Sequence, residues 1–178
     1  ADLGSHGISL LMAFLGEKLQ ITSAVQAGRF ADVPEDSDLF SSLTLVQPDS
    51  FAAGTMSASR ISSGTGDLVS LEIYAEIGML RYSSHSVDYF EYYLEETGQW
   101  TRQVVGSNYA PITNFPSGHV PPGWLRSMIH AHYIFLGGND EKAFLPDLKH
   151  GLAVQRVVRE TAGYLKNYRD LIQNNGKK

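Results

Sequence analysis

The sequence predicts an α+β fold in which helices pack on one face of an open-faced, largely antiparallel mixed sheet. One helical pattern opens the chain, a long run of strand patterns follows, and two helical patterns end it. Strands that are segregated from helices are typical of the α+β class. Short turns between successive strands favour antiparallel neighbours. Because the helices cover only one face, the other face is left for solvent or a partner.

The first helical pattern ends near Gly16, a residue type that commonly terminates helices. Its apolar residues recur at the spacing of a single helical face: Ile8, Leu11, Met12 and Leu15. If the helix reaches back to Asp2, then Asp2 and His6 lie one turn apart on the same side.

Three strand patterns follow in the first half of the chain. Residues 19–26 alternate apolar and polar side chains, as a half-buried strand does. The strand patterns at 39–46 and 51–61 are separated by turn residues at 47–50, and residues 62–67 form a second turn.

Four shorter strand patterns occupy the middle of the chain: 68–75, 79–82, 87–94 and 100–105. Gly78 separates the first two, and residues 95–98 join the last two as a hairpin. Strand alternation places the large rings of residues 89–93 on both faces of the sheet. A proline-rich loop at 108–123, a helix at 123–136 that stops at Gly137, and a last helix over 147–172 complete the predicted elements.

Composition excludes several classes of protein. A chain of 178 residues is most simply one domain. Its net charge of −5 argues against a nucleic-acid partner, and the absence of cysteine excludes disulfides and thiolate metal sites. No apolar run approaches a membrane span and no signal peptide is visible, so no membrane partner and a cytoplasmic location are expected.

The histidines are the candidate catalytic residues. A carboxylate one helical turn from an imidazole can orient the ring and stabilise its protonated form, which makes Asp2 and His6 an acid/base candidate. On spacing alone, a helix cap beside a surface histidine explains the pair equally well. His130 and His132 are two residues apart on a helix and point to different sides, so no metal site is predicted there.

Four segments, in this order, resemble the C-terminal domain of the glucose–fructose oxidoreductase / inositol dehydrogenase (Gfo/Idh/MocA) family. The Asp2-Leu3-Gly4-Ser5-His6 run is similar to the family's Asp-x-x-x-His motif. Residues 32–37 resemble its acidic loop, 71–82 its strand–glycine–strand signature, and 144–155 the stretch that opens its final helix. Ala75 stands where a glycine is common.

The resemblance implies a function as well as a fold. Residues 1–178 would form a single C-terminal domain for substrate binding and oligomerisation, and the family's N-terminal Rossmann domain would be absent from this sequence. His6 would act as general acid/base and Asp2 would orient it, during hydride transfer between a sugar, polyol or derivative and NAD or NADP. The missing domain would hold most of the cofactor, so the isolated chain is predicted to be inactive. The bare sheet face would form a homo-oligomer.

Three further residues are substrate-binding candidates on the same resemblance. Arg60 ends a strand that would run toward the pocket, where a guanidinium could hold a hydroxyl or carboxylate. His119 lies in the long loop, and His150 begins the last helix near the same end. A surface arginine, a loop histidine and a capping or packing histidine are the alternative interpretations.

Other classes of function stay open at this stage. The chain could be a non-catalytic dimerisation or sugar-binding module of the same fold. It could also be a subunit that a nucleotide-binding partner completes in trans, or an unrelated α+β binding protein.

Overall fold

The helices and strands follow the chain order that the sequence predicts. The structure, a computed structural model, describes residues 2–27, 39–66, 68–104, 122–137 and 144–175. Its helices are α1 (Asp2–Leu15), α2 (Pro122–Phe135) and α3 (Leu148–Asn175). Its strands are β1 (Gln20–Ala27), β2 (Phe40–Gln47), β3 (Ala52–Ser59), β4 (Ser70–Ala75), β5 (Gly78–Ser83), β6 (Tyr89–Leu94) and β7 (Gln99–Val104). The predicted α+β class is confirmed.

The chain divides into two compact units. The first comprises Ala1–Gly64 with Pro146–Lys178, and the second comprises Thr65–Leu145. Every strand pair in the described residues is antiparallel, with the order β1-β2-β3 in the first unit and β4-β5-β6-β7 in the second. The sequence predicts one sheet instead of two. Turn residues identify hairpins, but they do not show whether β3 and β4 pair across the longer connection between them. A single domain over residues 1–178 stays a prediction.

In the first unit, α1 and α3 pack on one face of the three-stranded sheet. The buried core consists of Ile8, Met12, Leu19, Ile21, Ala24, Leu43, Leu45, Val154 and Val157. Alternate residues of β2 are buried, at Leu43, Leu45 and Gln47, as expected of a strand with helices on one side only. The predicted packing of helices on one sheet face is confirmed in this unit.

A β-bulge in β1 keeps the core face of the sheet continuous. Ile21 pairs with Leu45 and Ala24 pairs with Leu43, with a register shift between Ile21 and Ser23. Without the extra residue, the two-residue period would place Ser23 instead of Ala24 on the buried face. The bulge therefore explains why the apolar alternation of residues 19–26 is incomplete.

The end of α1 is anchored to the β2–β3 turn. Gly16 has a φ of 86° and its N–H donates to the Met12 carbonyl at 2.8 Å, which confirms the predicted helix terminator. The buried Gln47 amide donates to the Leu15 carbonyl at 3.0 Å and accepts from the Asp49 N–H at 2.7 Å. One side chain thus satisfies a free carbonyl at the helix end and holds the turn.

The β2–β3 turn lies one residue later than predicted. Gln47 pairs with Ala52, so the turn covers residues 48–51 and not 47–50. Phe51, expected to begin a strand, has a φ of 56° and a side chain that is 92% exposed. The buried hydrogen bonds of Gln47 retain it in β2 and move the turn along the chain.

Two glycines allow α1 to lie close to β3. A Cβ atom added to Gly7 would lie 2.8 Å from Met56 Sδ. One added to Gly4 would meet Met56 Cε at 3.9 Å and Ala58 Cβ at 4.0 Å. Since Ala58 is near the end of β3 and Gly4 is near the start of α1, these two ends meet at the same edge of the unit.

Alanine substitutions at these glycines should have different effects on stability. Gly4→Ala is expected to raise the free energy of unfolding by up to about 1 kcal/mol, because alanine favours helix and the new methyl makes ordinary contacts. Gly7→Ala should gain less or lose stability, since Met56 must move. Urea unfolding of both variants measures the difference, and an equal gain at Gly7 would contradict the close packing.

In the second unit, a charged row crosses all four strands on one sheet face. It consists of Glu72, Arg81, Glu91 and Arg102, each paired with the next across adjacent strands. The Glu91 carboxylate accepts from Arg81 Nε at 2.8 Å and from Arg102 Nη2 at 3.0 Å. Opposite charges at adjacent cross-strand positions favour this register of the sheet.

Aromatic rings flank the charged row. The Arg81 guanidinium lies 4.1 Å from the Trp100 ring centroid, and that of Arg102 lies 4.0 Å from the Tyr89 ring centroid. These are cation–π distances. Phe90 and Tyr92 lie on the opposite face of the sheet, and their ring centroids are 6.2 Å apart. The prediction that β6 presents rings on both faces is confirmed.

The stability of this sheet should depend on pH through Glu91. Hydrogen bonds from Arg102 and then Arg81 lower the pKa of the Glu91 carboxyl. Because the folded pKa is below the unfolded one, the stabilisation is present above the unfolded pKa and is lost as the pH falls through the lowered value. Glu91→Gln should therefore weaken the loss of thermal stability below about pH 4. Glu96→Gln, in an exposed turn, is the matched control and should retain it.

α2 matches the helix predicted at 123–136 and ends before Gly137, whose φ is 94°. None of the helices in the described part of the chain is long and apolar enough to cross a membrane. The acidic loop expected at 32–37 lies outside the described residues, as does most of the loop expected at 108–123.

Candidate active site

α1 extends back to Asp2, which places Asp2 one helical turn before His6. Its core face carries Ile8 and Met12, which are 2% and 3% exposed. His6 is exposed to solvent. An imidazole on the outer side of a well-packed helix is both accessible to a ligand and fixed in its backbone position. Both properties favour a role in acid/base catalysis.

Arg60 lies at the end of the unit where α1 begins. It follows β3 directly, is exposed, and its N–H donates to the Leu39 carbonyl at 2.7 Å. Ala58, two residues earlier, lies beside Gly4 in the first turn of α1. The fold therefore brings Arg60 to the same end as the backbone of Asp2 and His6.

The other two substrate-binding candidates have different positions. His119 lies outside the described residues. His150 is only 4% exposed, and it lies in the first turn of α3. Asp147 caps that helix, because its Oδ1 accepts from the His150 N–H at 2.7 Å and its carbonyl accepts from the Gly151 N–H at 3.0 Å. His150 thus has a packed position, which is the alternative interpretation of its place in the sequence.

The His150 ring joins α3 to α1. Its Nε2 lies 2.9 Å from Ser9 Oγ, and its Nδ1 lies 3.9 Å from Glu17 Oε1. Arg156 Nη2, further along α3, donates to the Glu17 carbonyl at 2.8 Å. The first turns of α3 are therefore held to both the middle of α1 and the segment that follows it.

Sequence reasoning did not identify the partners of His150. Ser9 interrupts an otherwise apolar run, Ile8 to Leu15, at a position that faces α3. Asp147 stands three residues before His150, which is the spacing between a capping side chain and the backbone N–H that donates to it. These two signals could have indicated a buried polar contact. The role of Glu17 depends on how the helices cross, which no local pattern specifies.

Within the described residues, no group of three or more histidine, aspartate or glutamate side chains is placed to hold a metal ion. The candidate site consists of Asp2, His6 and Arg60 at one end of the first unit. Ser9 and His150 lie between the helices α1 and α3.

The fold is one that solved oxidoreductase structures contain, although no family model and no curated protein matches the chain. An oxidoreductase from Sinorhizobium meliloti is 18% identical with a TM-score of 0.72 over 94% of this chain and 50% of its own. An NAD binding oxidoreductase from Klebsiella pneumoniae is 21% identical, with a TM-score of 0.71 over 93% and 48%. Levoglucosan dehydrogenase, in complex with NADH and levoglucosan, is 18% identical, with a TM-score of 0.64 over 93% and 48%. The chain spans about half the length of these proteins.

Proposed function

We propose that this chain is the C-terminal, substrate-binding half of a cytoplasmic NAD(P)-dependent oxidoreductase of the Gfo/Idh/MocA family. The observation that carries the proposal is the match of 93–94% of the chain to about half of each of three oxidoreductase structures. The exposed His6 on the first helix, one turn from Asp2, supports it, since the family motif has this spacing.

His6 performs the proton half of the reaction. In the oxidation direction, its neutral imidazole accepts the proton from a substrate hydroxyl as the carbon of that hydroxyl gives up a hydride and becomes a carbonyl. In reduction, the imidazolium returns the proton to the carbonyl oxygen. Asp2 orients the ring and stabilises the imidazolium. The charge that develops on the substrate oxygen is thereby neutralised without solvent.

The residues of this chain fit the substrate side of the reaction and not the cofactor side. The sequence lacks the Gly-x-Gly-x-x-Gly run that binds a dinucleotide between a strand and a helix. NAD or NADP would be held mainly by an N-terminal Rossmann domain outside this sequence. When bound there, the nicotinamide supplies the hydride acceptor or donor.

The substrate is proposed to be a sugar, a polyol or a derivative. Levoglucosan dehydrogenase, one of the structural neighbours, is solved with levoglucosan and NADH, which supports this class. Arg60 is proposed to contact substrate, because its guanidinium is an exposed donor group at the end of the unit that carries His6. The role of His119 in substrate binding stays a prediction, since His119 lies outside the described residues.

A pair of measurements tests the proposal. The complete coding sequence should yield a protein that reduces NAD or NADP with members of a sugar and polyol panel. The 178-residue chain alone should neither turn over nor bind NADH at micromolar concentrations in a fluorescence titration. Micromolar binding by the isolated chain, or a reading frame that starts at Ala1 with no nucleotide-binding partner that co-purifies, would contradict it.

We also propose a homo-oligomer formed through the open face of the four-stranded sheet. The charged row Glu72-Arg81-Glu91-Arg102 alternates between negative and positive side chains. A second copy related by a two-fold axis would run in the opposite direction, which would set Glu72 against Arg102 of the other copy. Tyr74 and Trp100 on the same face are 73% and 47% exposed. Exposed aromatic rings beside complementary charges favour a protein interface.

Sedimentation velocity tests the interface. Glu72→Arg should weaken the dimer through like-charge contact, and the double variant Glu72→Arg/Arg102→Glu should restore it. Gln103→Lys, on the opposite face, is the control and should leave the dimer intact. A wild-type chain that stays monomeric at all concentrations contradicts the interface.

A further inference from the structure

A buried imidazole connects the helix that carries His6 to the last helix. His150 is 4% exposed and Ser9 is partly buried, and their side chains meet at 2.9 Å. His150 occupies the core face of α3 in line with Val154 and Val157, which are 6% and 0% exposed. An aliphatic side chain could fill such a position, so packing alone does not account for a histidine there.

A hydrogen bond restricts the helix in a way that apolar packing does not. Apolar contacts tolerate small rotations, whereas the Ser9–His150 bond depends on direction as well as distance. Buried polar contacts are attested as devices that specify one arrangement of packed helices. The Asp147 cap and the bond from Arg156 to the Glu17 carbonyl hold the α3 side of this contact in place.

His6 and Ser9 are closely coupled by helix geometry. Three residues correspond to about 300° of rotation, so the two side chains lie about 60° apart around the axis and about 4.5 Å apart along it. A side-chain tip lies about 5–6 Å from the axis, so a rotation of α1 by about 20° moves the His6 ring by about 2 Å. Misplacement by about 1 Å can cost on the order of a hundredfold in rate.

We infer that His150, through Ser9, is a positioning residue that sets the rotation of α1 and hence the place of the His6 imidazole. The inference rests on the proposed function, because that function gives His6 a reaction to perform. It assigns His150 no contact with substrate. The His150 ring is enclosed between α1 and α3, where it contacts Ser9 and, at longer range, Glu17.

Kinetics of the longer oxidoreductase with a substrate that it turns over provide the test. Ser9→Ala and His150→Leu should each lower kcat at least about tenfold. The KM for the sugar and the Kd for NADH should stay within about twofold, because the inference gives neither residue a contact with a ligand. His150→Gln, whose amide can reach Ser9, should recover most of the lost kcat.

Nuclear magnetic resonance of the 178-residue chain provides a second readout that needs no activity. Ser9→Ala should shift or broaden the His6 Cε1–H signal, whereas Thr161→Ala should leave it unchanged. Thr161 is the matched control, since its hydroxyl donates to the Val157 carbonyl within α3. If His150→Leu does not fold, Ser9→Ala alone decides the matter.

The outcomes separate the inference from the proposed function. Wild-type kcat in Ser9→Ala and His150→Leu, together with an inactive His6→Ala variant, overturns the positioning role alone. Lower stability of His150→Leu with unchanged kcat and an unchanged His6 signal also overturns it. Unchanged turnover in His6→Ala instead overturns the acid/base role, and the positioning inference with it.

Discussion

Replacement of His6 with alanine is expected to lower kcat of the proposed longer oxidoreductase by roughly 10²- to 10⁴-fold, the usual contribution of a positioned acid/base group. The Kd for NADH should change little, because this chain lacks the dinucleotide-binding run. Steady-state kinetics in both directions, with direct titration of NADH, measures these effects.

A second exposed histidine provides the control for this substitution. His132, on α2, is exposed and its Nδ1 lies 2.7 Å from the Met128 carbonyl. His132→Ala removes an imidazole of similar exposure from the second unit and should retain wild-type turnover. Equal losses in the two variants would point to a general effect on folding. Unchanged turnover in His6→Ala would remove His6 from the mechanism.

Much of the fold could be predicted because local chemistry determined each element. The apolar period of α1, the glycine that ends it and the turn residues of the β6–β7 hairpin each acted within a few residues. Sheet membership could not be predicted in this way. It depends on contacts between strands that are distant in sequence, and these divide the seven described strands into two sheets.

The candidate site shows the same division between local and distant information. The spacing of Asp2 and His6 placed both on one helix, and the structure contains that helix. The contact between Ser9 and His150 joins residues 141 positions apart, so no local pattern could specify it. Only the packing of α1 on α3 distinguishes the exposed His6 from His150, whose buried ring joins the two helices.

Gly78→Ala is expected to destabilise the four-stranded sheet severely. Gly78 begins β5 with a φ of 150°, a backbone conformation that residues with side chains rarely adopt. A Cβ atom there would lie 1.9 Å from the Tyr93 carbonyl oxygen and 3.2 Å from the Leu94 Cα. Both neighbours are backbone atoms of β6, so the contact cannot be relieved by a change of rotamer.

The β5–β6 pairing must therefore open at the position where Gly78 opposes Leu94. A loss of about 4 kcal/mol or more in the free energy of unfolding is expected, which is the range of severe single substitutions and a large fraction of the stability of an ordinary domain.

Gly54→Ala is the matched control, because Gly54 is also a strand glycine but has no atom within 4 Å of a new Cβ. It should gain up to about 1 kcal/mol. Thermal unfolding followed by tryptophan fluorescence compares the two, since Trp100 reports on β7 of the same sheet. Similar midpoints for both variants would mean that β5 and β6 do not approach as closely as the pairing requires.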